Sequence, residues 1–183
     1  IFRLMSDFKP DIVFHAAALK HVPLLERDWG EGVKTNVFGS VNVADAAVAA
    51  GAAAMVMIST DKAIEPVSVL GATKRFAEMY CQALDADFAR RNRRPPMRLI
   101  AVRFGNVLAS NGSVVPKFKA QIEAGGPVTV THPDMVRYFM TIREACDLVV
   151  TAASHALSAE RGQVSVYVLN MGQPVKIVDL AER

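Results

Sequence analysis

Three short apolar runs limit what this chain can become: Pro-Asp-Ile-Val-Phe at residues 10–14, Met-Val-Met-Ile at 55–58 and Arg-Leu-Ile-Ala-Val-Arg-Phe at 98–104. Each has the length of a buried strand, and the long stretches between them carry helical periodicity. Residues 31–50 repeat Val33, Val37, Val41, Ala44 and Val48 at helical spacing, with Gly51 as a C-terminal stop. Residues 71–91 form a second expected helix, with Phe76, Met79, Tyr80, Ala83 and Leu84 as its apolar stripe. The order β-α-β-α-β predicts an α/β fold, a doubly wound, mostly parallel sheet with helices on both faces. Such sheets bind ligands beyond the carboxyl ends of their strands. The residues just after each run are therefore the candidates for function: His15 to Ala18, Ser59 to Lys62, and Gly105 to Val107.

Beyond residue 104 the elements are shorter. Asn111-Gly112 marks a turn. A helix is expected over 114–124, ended by Gly125-Gly126-Pro127, then a small strand over 128–130. Residues 134–141 carry Arg137 and two aromatics, 144–157 read as a helix, 166–169 as a strand, and Ile177 opens a last helix.

With 183 residues, of which 51% are hydrophobic, one domain with a substantial core is expected. A net charge of +3 is too small to select a partner. Cys81 and Cys146 have no metal or redox spacing, which predicts a reducing, cytoplasmic setting. The 4 histidines form no ligand pattern, so no metal is expected. Arg90, Arg91, Arg93 and Arg94 before Pro95-Pro96 suit the negative end of a helix. They lack the aromatic interleaving or second basic patch that nucleic-acid binding would bring. The apolar run over 46–58 is too short for a bilayer and is split by Gly51. The chain opens at Ile1 and closes inside a helical pattern, so it reads as a fragment, with any membrane attachment left to segments outside it.

Asp61 beside Lys62, with Lys74 on the next helix, suits proton transfer; the same residues also suit a solvated ion pair on a loop. Ala16 and Ala17 would let a flat cofactor approach the backbone, or simply allow close packing. Lys20 and His21 precede Pro23 and are placed to face the cleft, and Asn36 is either a site residue or a polar-face asparagine.

Five motifs stand in order: His-Ala-Ala-Ala-Leu-Lys-His-Val-Pro, Ser-Thr-Asp-Lys-Ala, Gly-Ala-Thr-Lys, Arg-Phe-Gly-Asn-Val-Leu and Arg-Tyr-Phe-Met-Thr. Together they resemble the nucleotide-sugar 4,6-dehydratases of the extended short-chain dehydrogenase/reductase superfamily, in particular the polysaccharide-biosynthesis branch acting on UDP-N-acetylglucosamine. The similarity covers nearly the whole chain. It implies a partial Rossmann-like fold: the glycine-rich turn that cradles a pyrophosphate would lie upstream, and no such fingerprint occurs here. Residues 1–110 would be the catalytic half of the dinucleotide-binding fold, and 111–183 substrate-lobe elements with a returning strand and helix. The resemblance further implies NAD rather than NADP, a UDP-sugar substrate, a homo-oligomeric parent, and a cytoplasmic site, with the parent anchored at the inner face of the inner membrane.

The implied reaction oxidises the sugar at C4, removes the C5 proton, expels the C6 hydroxyl as water and returns hydride to C6. It needs a base for the C4 hydroxyl, a base for C5–H and an acid for the C6 oxygen. By resemblance Asp61 is the acid and Lys62 the C5 base. Burial at a closed strand end would let the one hold a proton and the other lose it. Thr60 would bond the C4 oxygen and Lys74 the nicotinamide ribose. Ala16, Ala17, Lys20 and Asn36 would serve the cofactor, and Asn106 and Arg137 the diphosphate, Arg137 in bidentate fashion. Arg103 lies inside a strand and reads as structural. One departure stands out: the superfamily tyrosine four residues before Lys74 is Leu70 here. Lys62, or a water held by Thr60, would then take the C4 proton. A 4-epimerase on the same fold and a non-catalytic nucleotide-binding relative are the alternatives; Asp61, Lys62 and Lys74 favour the dehydratase. Adjacent residues of a strand point to opposite faces. For Asp61 and Lys62 to act together, the strand must therefore end by Ser59 or Thr60.

Overall fold

The computed structural model describes residues 1–91, 97–108, 110, 112–158 and 166–182. The chain divides into two compact units, residues 1–103 with 149–169 and residues 104–148 with 170–183. Up to residue 103 the elements are α1 (Phe2–Phe8), β1 (Ile12–His15), α2 (Val22–Arg27), α3 (Trp29–Gly32), a π-helical segment (Val33–Phe38), α4 (Gly39–Ala50), β2 (Ala54–Ile58), a 3-10 turn (Asp61–Ala63), α5 (Val69–Arg91) and β3 (Arg98–Arg103). Then come β4 (Asn106–Val107), α6 (Val114–Glu123), β5 (Val136–Arg137), β6 (Phe139–Met140), α7 (Ile142–Ser158), β7 (Val166–Val168), β8 (Val175–Lys176) and α8 (Ile177–Ala181).

The first unit is built on a four-stranded sheet in the order β1-β2-β3-β7, parallel throughout. The expected α/β class and the three apolar runs are all present. β2 is central, and Met55, Val56 and Met57 are fully buried on both of its faces, as a continuous apolar run in a parallel sheet requires. Register pairs Met55 with Val13 on one side and Leu99 on the other. Alanines 44, 47 and 77 bring α4 and α5 close against these strands.

The helices depart from the sequence pattern in instructive ways. The stretch expected as one helix over 31–50 begins at Trp29 and contains the π-helical segment. A π segment widens the turn and rotates the helical turns after it. The fully buried positions are therefore Asn36, Ser40, Ala44 and Ala47, while Val33, Val41 and Val48 are only half-buried. Gly51 ends α4 as expected, at φ +77° with its N–H bonded to Ala47 O.

On α5 the expected apolar stripe holds only at Tyr80 and Leu84, which pack against the core, while Ala83 is exposed. Phe76 and Met79 are exposed, and the buried face is Leu70, Thr73, Lys74, Ala77, Glu78 and Cys81. Lys74 and Glu78 of that face find partners at the carboxyl edge of the sheet, and Thr73 bonds Asn36 and Leu70, which outweighs the apolar pull of Phe76 and Met79. α1 and α2 escaped the sequence reading. The first buries no residue, and the second is one short segment with proline in its first turn.

In the second unit β4 pairs with β6 in parallel and β5 with β8 antiparallel. The small strand expected over 128–130 does not form. Instead the Gln121 amide takes two polar groups of Thr129: Nε2 donates to its Oγ1 at 2.7 Å and Oε1 accepts from its N–H at 3.1 Å. α7 starts two residues before the expected 144. Thr141 and Glu144 close a capping box there, with Thr141 N–H donating to Oε2 at 2.7 Å and Glu144 N–H to Thr141 Oγ1 at 3.1 Å. Arg90 and Arg91 close α5 and both pair with Asp87. Arg93, Arg94, the stop at Pro95-Pro96 and Asn111 of the expected turn lie outside the described residues. Among the described residues no helix is long and apolar enough to cross a membrane.

Candidate active site

β2 ends at Ile58, and Ser59 still bonds the neighbouring strand, its N–H donating to Val102 O at 2.8 Å. Thr60 is extended, at φ −147° and ψ 155°, and caps the adjoining 3-10 turn. Its hydroxyl donates to Asp61 Oδ1 at 2.9 Å and accepts weakly from Lys62 N–H at 3.4 Å. The turn brings two side chains together that a strand would have sent apart: Lys62 Nζ lies 2.9 Å from Asp61 Oδ1. The expectation that the strand stops by Ser59 or Thr60 is met. The closed, dry setting expected around the pair is not, because the two side chains are 38% and 32% exposed.

Lys74 reaches the same strand end from α5. It is buried, and its Nζ donates to Ile58 O at 2.8 Å. Burial lowers its pKa from 10.5 to about 8, against the opposing pull of Glu78 and, less, of Cys81. Leu70, also buried, occupies the first turn of α5 and offers only its carbonyl, which accepts from Thr73 Oγ1.

A buried polar chain joins β1, the π segment and α5. Ser40 Oγ donates to Asn36 O at 2.6 Å and lies 3.0 Å from His15 Nε2. With its one proton committed to Asn36, the Ser40 hydroxyl must accept, which assigns the proton of neutral His15 to Nε2. Asn36 is fully buried. Its Oδ1 accepts from Leu19 N–H at 2.8 Å and its Nδ2 donates to Leu19 O at 3.0 Å and Thr73 Oγ1 at 3.1 Å. Asn36 thus locks the backbone of the Ala16–Lys20 loop, while Ala16, Ala17 and Lys20 themselves are exposed. The loop is thus an open edge of small residues held by Asn36, with room for a flat ligand.

His15, at the strand end but in no ligand pattern by sequence, is pushed by burial and the Lys74 charge from 6.5 to about 4. At pH 7 it is neutral in the folded chain and mostly neutral in the unfolded one. Between pH 6.5 and 4 the unfolded chain takes up a proton that the folded chain refuses, so stability falls as pH falls through this window. The expected loss is about 3 kcal/mol. Urea unfolding at pH 7 and pH 4 measures it, and His15→Gln should flatten the dependence. An equal dependence in both proteins would remove His15 as its source.

Sequence reasoning also missed Glu78, fully buried one turn beyond Lys74. Its only signal was a carboxylate on a helix face, which ordinarily means solvent. Arg103, read as structural, is its partner: Nε lies 2.8 Å from Oε1 and Nη2 2.5 Å from Oε2.

In the second unit the two expected diphosphate residues stand on strands of two different small sheets, β4 and β5, joined through Tyr138. Asn106 N–H donates to Tyr138 O at 3.0 Å, next to Arg137. Arg137 pairs with Val175 through β5 and β8, and its Nη1 donates to Val136 O at 2.8 Å. Among the described residues no cluster of three metal-ligating side chains occurs.

Residues 1–183 match the family described as polysaccharide biosynthesis protein. The chain is 54% identical over 182 residues to capsular polysaccharide biosynthesis protein CapD of Staphylococcus aureus, covering 100% of this chain and 28% of that protein. It is 43% identical over 145 residues to a UDP-glucose 4-epimerase of Rickettsia canadensis, covering 79% of this chain and 41% of the relative. The chain thus spans well under half the length of these relatives. Among solved structures, Pen from Bacillus thuringiensis superposes with a TM-score of 0.86 at 35% identity, over 99% of this chain and 54% of Pen. The dTDP-glucose 4,6-dehydratase DesIV of Streptomyces venezuelae, solved with NAD bound, gives 0.82 at 19% identity, over 100% of this chain and 59% of DesIV, a likeness of fold.

Proposed function

The chain belongs to the polysaccharide biosynthesis protein family, and from that premise we propose that it carries the catalytic half of an NAD-dependent nucleotide-sugar 4,6-dehydratase. The substrate in this reading is a UDP-N-acetylhexosamine, first UDP-N-acetylglucosamine, and the product a 4-keto-6-deoxy sugar for a surface polysaccharide. The reading includes a homo-oligomeric, cytoplasmic enzyme whose longer polypeptide carries the phosphate half of the cofactor site. The observation that carries it is the 3-10 turn: it sets an acid and an amine 2.9 Å apart on one side of the carboxyl end of a central parallel strand.

NAD, when bound, would supply the acceptance of hydride from C4 and its return to C6. The chain's own residues do the proton work. As found, Asp61 and Lys62 form an ion pair open to water. A seated sugar would displace that water, and a desolvated ion pair is costly. Moving one proton along the short Lys62–Asp61 bond relieves the cost and leaves a neutral amine and a carboxylic acid. The amine then takes the C5 proton, the acid gives its proton to the C6 oxygen, which leaves as water, and the Lys62 ammonium returns a proton to C5 as hydride would return to C6. Thr60, freed from Asp61, bonds the C4 oxygen. Leu70 cannot take the C4 proton, so a water on Thr60 does and passes it to solvent, or Lys62 does and releases it to solvent before it takes the C5 proton. The Lys74 ammonium serves the nicotinamide ribose, and Asn36 keeps the Ala16–Lys20 loop in place beneath the ring. Asn106 and Arg137 hold the diphosphate.

A 4-epimerase is the second reading, favoured by the Rickettsia relative and weakened by Leu70, which stands where epimerases keep a tyrosine. Incubating the complete polypeptide with UDP-N-acetylglucosamine and following the sugar by NMR separates the two. A 4-keto-6-deoxy product supports the dehydratase, the C4 epimer supports the second reading, and no change supports a nucleotide-binding relative. The roles within the turn are separable too. Lys62→Met is expected to abolish exchange of the C5 proton with solvent deuterium. Asp61→Asn is expected to keep that exchange and to lose product formation by a factor of about 10²–10⁴. Normal C5 exchange in Lys62→Met would end the assignment of Lys62 as the base.

A further inference from the structure

We propose that Glu78 is a positioning residue for Lys74: its carboxylate ties α5 to the ends of β2 and β3 together, and so sets the depth and the charge of the Lys74 amine. The inference rests on the reading of Lys74 as a site residue given above.

The geometry is a three-way tie. Glu78 sits one helical turn from Lys74 on the same face of α5. Its Oε1 accepts from Ser59 Oγ at 2.5 Å, and Ser59 directly follows Ile58, whose carbonyl receives Lys74 Nζ. The same carboxylate takes the Arg103 fork through both oxygens at the end of β3. Ser59 N–H in turn bonds Val102 O, the residue before Arg103. One carboxylate thus fixes the register of the helix against two strand ends, and Lys74 can reach only as far as that register allows. A hydrophobic residue at position 78 would pack as well and would fix nothing.

The charge acts as well as the hydrogen bonds. Lys74 faces Glu78 and Cys81 on its own helix and His15 on β1, and the turn with Asp61 and Lys62 packs against the start of α5. Glu78 is itself held by Arg103 and, at the rim, by Arg75 at 3.3 Å. Of these groups Glu78 is the largest influence that favours the ammonium over the amine. Without it the buried Lys74 would lose its proton at lower pH, and a neutral amine donates more weakly to a ribose hydroxyl and to Ile58 O.

The test reads Lys74 without substrate or cofactor. In the complete polypeptide with isotope-labelled lysine, the Lys74 side-chain resonance is assigned by its absence in Lys74→Arg and followed against pH by NMR. The parent is expected to titrate near 8, and Glu78→Gln about one unit lower. An unmoved titration in folded Glu78→Gln overturns the proposal. If circular dichroism shows that variant unfolded, Glu78→Asp decides. It keeps the charge but withdraws it by one methylene, so a lowered titration supports the role and an unchanged one overturns it. A lowered titration in a protein that makes no 4-keto sugar would sink the dehydratase reading alone. An unmoved one in an active dehydratase would sink this inference alone.

Discussion

Gly71→Ala is expected to disable the candidate site while leaving most of the fold standing. A methyl group at this position would clash with Lys62 O and lie 3.1 Å from Lys62 C and 3.0 Å from Pro66 Cβ. The obstacle is backbone, which cannot swing aside as the end of a side chain does. Either α5 backs away from the strand end, carrying Lys74 with it, or the Asp61–Ala63 turn moves by about an ångström. Misplacement on that scale costs a reaction about 10²-fold. Overpacking should also lower stability by about 1–3 kcal/mol. Turnover of the nucleotide sugar and urea unfolding measure the two effects. Gly30→Ala is the control, since nothing lies within 4 Å of its added methyl. Equal behaviour of the two variants would mean that the close approach of α5 to the turn has no functional weight.

Arg103→Ala is expected to be the most destabilising single change in the sheet. It strips the two-bond partner from a carboxylate with no exposed surface and leaves it with Ser59 and the partly exposed Arg75. Breaking a buried pair from one side typically costs about 3–5 kcal/mol, because the remaining ion is neither solvated nor compensated. Removing both charges does not carry that penalty, so Arg103→Met combined with Glu78→Leu should recover most of the stability in urea unfolding. The double variant should not recover the Lys74 titration, which depends on the charge at position 78. If Arg103→Ala unfolded at the same urea concentration as the parent, the pair would have to be judged solvated, against its burial.

The two variants probe features that differ in how far the sequence foretold them. Asp61, Lys62 and Lys74 were legible because a parallel strand must end somewhere, and ionisable residues at that end are conspicuous against an apolar run. Even the break in the strand could be argued beforehand, since adjacent side chains cannot share a face of an extended chain. The dry pocket expected around them could not. Exposure depends on what covers a turn, and the Asp61–Lys62 pair of this chain stands partly in water.

What the sequence determined by itself is the frame. Apolar runs of strand length, separated by helical stretches, dictate a parallel sheet with ligand-facing strand ends, and Gly51 dictates where α4 stops because only glycine sits easily at φ +77°. What the tertiary structure alone decided is which side of each helix turns inward. Periodicity on α5 offered Phe76 and Met79 to the core, yet the buried face carries Lys74 and Glu78. On the first long helix a π segment traded valines for Asn36 and Ser40. The reason is common to both. A helix pattern reports which residues share a face, but the worth of burying a polar residue is set by its partner. Here the partners are Arg103, Ser59, Ile58 O, Leu19 and His15, all brought from other elements by the fold itself.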